Sequence, residues 1–224
     1  MSVEMECQCV SLDDSQHIAF RNEVYNLYPH DEHPKYLLAS EIRALVRLPT
    51  IKEHHRMLML FLFNTGARIS EALAVTPLDI KPCNGRMGVR LKTLKHQREK
   101  PIGTPKEGYT RTIPLFDRDF ETALSRYVNT HCSNKKKPLF SGITRQAARN
   151  WIKEIEQAGK AADLHFPLSI SPKVLRHSFA IHLILHQVSV KKVQSLLGHR
   201  YASSTDIYTR LLSCDIDLDY EIQF

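Results

Sequence analysis

A chain of 224 residues with 31 Lys+Arg, 24 Asp+Glu and a net charge of +7 can bury a core without disulfide staples, and it suits one domain with an appended arm. Its 8 glycines, roughly half of average usage, argue against a loop-rich β-sandwich and for a helical body. The longest apolar run, Met57 to Phe63, is far short of the ~18 residues a membrane span needs, and the acidic N-terminus carries no secretory signal pattern.

Residues 1–35 are polar, with Phe20, Val24, Leu27 and Tyr28 spaced to line one side of a short helix. Pro29 and Pro34 close that helix and mark a linker. Ser40 reads as the N-cap of a helix through Ile42, Leu45 and Val46 that stops at Pro49. The next helix, about 53–64, is nearly all apolar and belongs in the core. Thr65-Gly66 ends it, a short third helix starts at Arg68, and Pro77 stops that one.

Residues 87–95 and 110–115 alternate apolar and polar, which predicts an antiparallel strand pair joined by a long basic loop. Helices are then predicted over about 117–130, 144–160, 172–187, 190–197 and 204–212. Ser171 caps the third of these with Pro172 at its first position, and Ser189 and Gly198 bracket the fourth. The expected fold class is mostly α with a small antiparallel β-sheet, an α+β domain.

The charge is unevenly spread. Residues 1–35 balance to −5 and residues 213–224 to −4, so the body between them, 36–212, carries +16. A body that basic suits a polyanion, most simply nucleic acid, although a solvated lysine-rich face is an equally ordinary explanation of charge alone. The odd cysteine count, with Cys83, Cys132 and Cys214 isolated, fits a reducing compartment without a disulfide framework. Cys7 and Cys9 lack the further ligands of a zinc site. His182 and His186 have the spacing of a zincin pair, but Leu183 stands where the catalytic Glu belongs, so they read as helix-face histidines. No glycine-rich phosphate loop occurs. No metal or cofactor is expected.

Three segments stand out once nucleic acid is suspected, although the first, standing alone, reads as an ordinary surface ion pair. In Thr65-Gly66-Ala67-Arg68-Ile69-Ser70-Glu71-Ala72-Leu73 an arginine follows a glycine turn, and Glu71 three residues on can hold it for an external anion. In Ser171-Pro172-Lys173-Val174-Leu175-Arg176-His177-Ser178-Phe179-Ala180 two cations share a face at a helix N-terminus, where only an anion relieves their repulsion from the dipole. The third is Leu196-Leu197-Gly198-His199, with Tyr208 nine residues beyond the histidine and Arg176 twenty-three before it.

Together these resemble the tyrosine recombinase family of phage-type integrases, plasmid resolvases and fimbrial invertases. The family pattern has a T-G-x-R-x-x-E-L-like element, a β-hairpin lysine, an H-x-x-R pair in an L-R-H-x-F-A helix, an L-G-H element and a tyrosine nine residues later. The resemblance spans about 37–212 and implies a catalytic domain there, between an acidic N-terminal arm (1–36) and an acidic tail (213–224). It implies a site-specific recombinase that cuts and rejoins double-stranded DNA through a 3′-phosphotyrosyl intermediate. Tyr208 is then the nucleophile, and Arg68, Arg176 and His199 hold the phosphate.

Lys95 is the chosen hairpin lysine, with Lys92 and Lys100 as alternates. Lys173 stands where most members have histidine; a lysine donates to phosphate but accepts no proton from tyrosine, so the activation of Tyr208 is left open. The resemblance also implies self-assembly on DNA as a tetrameric synapse, a cytoplasmic, nucleoid-associated location, and no membrane partner. The acidic tail is expected to dock on a basic surface, of a neighbouring copy or of its own. His177 reads as a packed histidine rather than a catalyst, and Tyr201 and Tyr220 lack the nine-residue offset. A DNA-relaxing enzyme of the type IB topoisomerase kind and a non-catalytic DNA-binding regulator are the competing readings.

Overall fold

The computed structural model describes residues 14–27, 34–83, 85–93, 109–199, 201 and 203–212. The chain divides into two units, Met1–Glu32 and His33–Phe224. In the first, helix α1 (Asp14–Leu27) takes in Phe20, Val24 and Leu27; Tyr28 and Pro29 lie outside the described residues, as do Cys7, Cys9, Lys95, Lys100, Cys214, Tyr220 and the acidic tail.

The second unit is helix-rich around a small sheet. Helix α2 (Ala39–Arg47) is followed by α3 (Glu53–Thr65), whose Met57, Leu58, Met59, Phe61, Leu62 and Phe63 are buried. The cap of α2 differs from expectation. The Glu41 carboxylate, not Ser40, accepts from the Leu38 N–H at 2.8 Å, and the helix starts two residues earlier than a Ser40 cap allows.

After the short helix α4 (Ile69–Ala72) and a 3-10 turn at Pro77–Asp79, three strands follow: β1 (Ile80–Cys83), β2 (Arg86–Lys92) and β3 (Thr110–Pro114). They form one antiparallel sheet in the order β1-β2-β3. The predicted pair is present, with Leu91 opposite Arg111 and Val89 opposite Ile113. Strand β1 is an addition that the periodicity did not reveal. It is four residues long and contains Pro82, which only an edge strand tolerates.

The remaining helices fall close to their predicted spans: α5 (Arg118–His131), α6 (Arg145–Ala161), α7 (Pro172–Leu185), α8 (Val190–Leu197) and α9 (Ser203–Leu212). Side-chain oxygens cap three of them: Asp117 accepts from the Asp119 N–H at 2.9 Å, Thr144 from Ala147 at 3.1 Å and Ser171 from Val174 at 3.2 Å. Ser189 makes no such side-chain bond.

Helix α3 is the centre of the core, packed against α7, α6, α5 and α2. It is apolar on nearly every side because neighbours surround it. Buried Glu156 on α6 joins the connection into α7, accepting from the Ile170 N–H at 2.9 Å and from Lys160 Nζ at 2.7 Å. Helix α7 is tied in turn to the segment before α2, since the Leu37 N–H donates to Ser178 Oγ at 2.8 Å.

Candidate active site

The glycine turn after α3 sets the site's geometry. Gly66 caps α3 in the left-handed region at φ 58°, and its N–H donates to Leu62 O at 3.0 Å. A Cβ there would lie 2.3 Å from the ring of Phe179 on α7, so the turn rests directly on that helix. This close approach brings Gly66 O within 2.6 Å of Arg176 Nη1. Gly66→Ala combines positive-φ strain of ~1–2 kcal/mol with an overpacking cost of ~1–3 kcal/mol. Urea unfolding should report roughly 2–4 kcal/mol of lost stability, and an unchanged midpoint would contradict the packing.

Beyond the turn, Arg68 caps α4, and Glu71 on that helix becomes a hub. Its carboxylate accepts from the Arg68 N–H at 2.9 Å and from Arg68 Nη1 at 2.8 Å. It also accepts from Arg111 Nη1 at 3.2 Å and Nη2 at 2.7 Å. Arg111 comes from β3, which buries Arg111 and Ile113 on its inner face. It goes on to donate to Thr93 Oγ1 at 3.0 Å and to Leu196 O at 2.7 Å.

Arg176 on α7 donates from Nη2 to Leu197 O at 2.7 Å. Two arginines from different elements therefore hold successive carbonyls at the C-terminal end of α8, where the helix dipole favours cations. Gly198 then turns the chain at φ 64° with Arg111 packed against it; a Cβ would lie 3.1 Å from the guanidinium. His199 emerges from this clamp, and its Nδ1 lies 2.9 Å from Thr205 Oγ1 on α9.

Helix α9 also carries Tyr208, which is 1% exposed. Its hydroxyl lies 2.7 Å from His177 Nδ1 on α7, with the two rings edge to face and their centroids 5.5 Å apart. His177 is packed, as expected, and its partner is the tyrosine hydroxyl. Helix periodicity ranks one histidine among apolar neighbours as core, and only the docking of α9 shows what it touches.

Burial and then the Arg176 and Arg68 charges lower His199 to about 4, and burial followed by the Lys173 and Arg176 charges lowers His177 to about 4. Burial raises Tyr208 to about 12, opposed by Arg176. Burial and then the Arg68 charge lower Arg176 to about 9, so it remains a cation at neutral pH. Burial pushes the Glu71 carboxyl up, but the Arg111 and Arg68 bonds outweigh this and hold it below the usual carboxylate range.

Both imidazoles are therefore neutral at pH 7 when folded, and they take up protons more readily when unfolded. Stability that is complete above pH 6.5 is expected to drain away as pH falls toward about 4. Melting temperature measured down that range should fall, and His177→Gln should flatten part of the slope. A variant slope identical to wild type would contradict the depressed His177.

The structure thus brings Arg68, Arg176, His199 and Tyr208 to one place, built from α3–α4, α7, the end of α8, and α9. Lys173 sits one turn before His177 on α7, exposed at the edge of the site. Lys95 and Lys100 fall outside the described residues, and Lys92 ends β2, exposed. Tyr201 is 61% exposed. His182 packs against Phe63, ring centroids 5.5 Å apart. Sequence reading missed Arg111. Its signal was an arginine in the register of Ile113 and Leu115, a charge on the inward face of a strand. A cavity of about 440 Å³ lined by His54, Tyr127, His131 and Trp151 contains none of the site residues.

Residues 35–213 match the model of the phage integrase family. A resolvase of Escherichia coli K12 is 36% identical over 211 residues, covering 87% of this chain and 78% of its own length. The tyrosine recombinase XerD of Ralstonia nicotianae is 32% identical over 187 residues, 80% of this chain and 56% of that protein. Among solved structures, the XerH site-specific recombinase bound to palindromic difH substrate, a post-cleavage complex, matches with a TM-score of 0.61 at 21% identity. The match covers 80% of this chain and 50% of that one, a likeness of fold.

Proposed function

Given that this chain belongs to the phage integrase family, we infer that it is a site-specific tyrosine recombinase, an enzyme that cuts, exchanges and rejoins strands of double-stranded DNA. The observation that carries this reading is the gathering of Arg176 and His199 at the end of α8, the Glu71-anchored Arg68 charge acting on both, and Tyr208 docked on α7 beside Arg176. Two guanidinium forks suit the oxygens of a phosphodiester in a way that scattered surface charge does not. Among the described residues Arg176 is bonded only through its terminal nitrogens, to Gly66 O and Leu197 O. Those bonds orient the fork and leave donors for a phosphate.

In this reading Tyr208 attacks the scissile phosphorus, the bond to the 5′-oxygen breaks, and a 3′-phosphotyrosyl link forms. That link conserves the phosphodiester energy, so resealing needs no high-energy cofactor. Arg68, Arg176, His199 and Lys173 stabilise charge on the non-bridging oxygens. A hairpin lysine, Lys95 with Lys92 and Lys100 as alternates, protonates the leaving 5′-oxygen. Exchange of both strands at two sites uses one Tyr208 per strand, which calls for a tetrameric synapse of identical copies. The +16 body between acidic ends supports DNA as the partner, and among the described residues no helix is long and apolar enough to cross a membrane. The location that follows is with the DNA in the cytoplasm.

The test is a suicide-substrate trap. Nicked duplexes, tiled across the DNA that flanks the chain's own reading frame, lose a short fragment on cleavage and cannot reseal. Wild-type protein should migrate as a covalent adduct, and digestion should place the DNA on the peptide containing Tyr208. No adduct on any duplex, or an adduct on Tyr201 or Tyr220, would overturn the assignment.

A further inference from the structure

The substitution of Lys173 at the usual histidine position leaves the reaction without an obvious acceptor for the tyrosine proton. We propose that His177 is that acceptor, a catalytic residue that takes the hydroxyl proton of Tyr208 during cleavage and returns it during rejoining. This rests on the recombinase reading above and deepens it.

The argument is first geometric. Of the groups gathered at the site, His177 is the one hydrogen-bonded to the reacting oxygen in the described structure: Nδ1 lies 2.7 Å from Tyr208 Oη, inside the range for direct proton transfer. His199, the other imidazole, has its Nδ1 engaged 2.9 Å from Thr205 Oγ1. Arg68, Arg176 and Lys173 carry donors only when charged.

The surroundings then select the protonation state. Among the described residues, the charged or titratable groups facing His177 are Lys173 and Arg176 on its own helix, His199 after α8, and Tyr208 on α9. Burial, and then the two cations beside it, keep the imidazole neutral before DNA arrives; the tautomer the proposal requires has its proton on Nε2, so that Nδ1 accepts from the Tyr208 O–H. A bound phosphodiester brings a negative charge to this cluster. That charge offsets Lys173 and Arg176 and favours imidazolium, so the site becomes ready to accept the proton only when substrate is present. Lys173 is thereby useful where it stands: it adds to burial in disfavouring the charged imidazole of the free protein, and it donates to phosphate in the complex.

The step balances. The O–H bond of Tyr208 breaks and its proton moves to His177 Nδ1; the phenolate oxygen bonds to phosphorus; the P–O5′ bond breaks, and the 5′-oxygen leaves as a hydroxyl with a proton from the hairpin lysine. In rejoining, a 5′-hydroxyl attacks the phosphotyrosine, and the departing Tyr208 oxygen recovers its proton from His177.

The experiment compares wild type, His177→Gln and His177→Ala on the nicked duplex that traps the wild-type protein, with melting temperature and DNA affinity as controls. Gln keeps a hydrogen bond to Tyr208 but accepts no proton, so it separates base chemistry from positioning. Cleavage by His177→Gln should be slower by about 10²–10⁴-fold, and the acidic limb of the wild-type pH–rate profile should disappear. Added imidazole should restore part of the activity of His177→Ala. A duplex with sulfur in place of the bridging 5′-oxygen, which needs no protonation of its leaving group, should restore neither variant. If His177→Gln cleaves at the wild-type rate, or the sulfur substrate restores it, His177 does not accept the Tyr208 proton. If wild type itself forms no adduct, the failure belongs to the recombinase reading instead.

Discussion

Tyr208→Phe is expected to leave no covalent DNA adduct while the protein stays folded and bound to DNA. The change removes one oxygen and keeps a ring that is 1% exposed, so α9 retains its apolar anchor. The lost bond is the one to His177 Nδ1 at 2.7 Å, worth about 1 kcal/mol net, with a further ~1–2 kcal/mol for an acceptor left unpaired. Against a typical folding stability of ~5–15 kcal/mol the domain survives. DNA affinity comes from the basic surface rather than from a buried hydroxyl, so a gel-shift titration should superimpose on wild type, with the usual steep loss at high salt. An adduct persisting in this variant would move the nucleophile elsewhere.

Glu71→Ala should be the most destabilising single change in the site. Glu71 is 1% exposed and accepts hydrogen bonds from both Arg68 and Arg111. Its loss leaves the Arg111 guanidinium, with a side chain 4% exposed, buried without its counter-charge. Breaking a buried pair in this way costs ~3–5 kcal/mol, whereas replacing both partners with apolar residues is often near neutral. Urea unfolding should therefore show a large loss for Glu71→Ala and a smaller one for Glu71→Leu combined with Arg111→Met. That double variant should still cleave poorly, because Arg68 loses its anchor and the end of α8 loses one of the two cations that hold Leu196 and Leu197. Equal stability losses for the single and double variants would show that the pair is not the unit of stability.

These two predictions divide along the line between what was visible in the primary structure and what was not. Tyr208, Arg68, Arg176 and His199 could be named because they lie in short segments that resemble the tyrosine recombinase motifs, and a short motif is legible along the chain. The elements bearing them were visible through local rules. Arg111 and His177 could not be given roles that way. Each partner lies on another element: Arg111 meets Glu71 forty positions away, and Tyr208 lies thirty-one positions beyond His177. Arg111 at an inward strand position reads as an isolated anomaly until Glu71, Thr93 and Leu196 are placed around it. Strand β1 escaped for a different reason, since four residues with a proline carry too little alternation to register.

The amino-acid sequence by itself determined a mostly helical domain with a +16 body, and its resemblance to the tyrosine recombinases implied DNA as the target and a set of phosphate-handling residues. The helical body and its charge reside in composition and period, whereas the residue set rests on motifs that resemble those of the family. Only the tertiary structure decided how these residues are held and what each one touches. Arg111 and Arg176 gather the end of α8 from two sides, and α9 lays Tyr208 on His177. Hydrogen bonds act over about 3 Å, a distance that separation along the chain does not report.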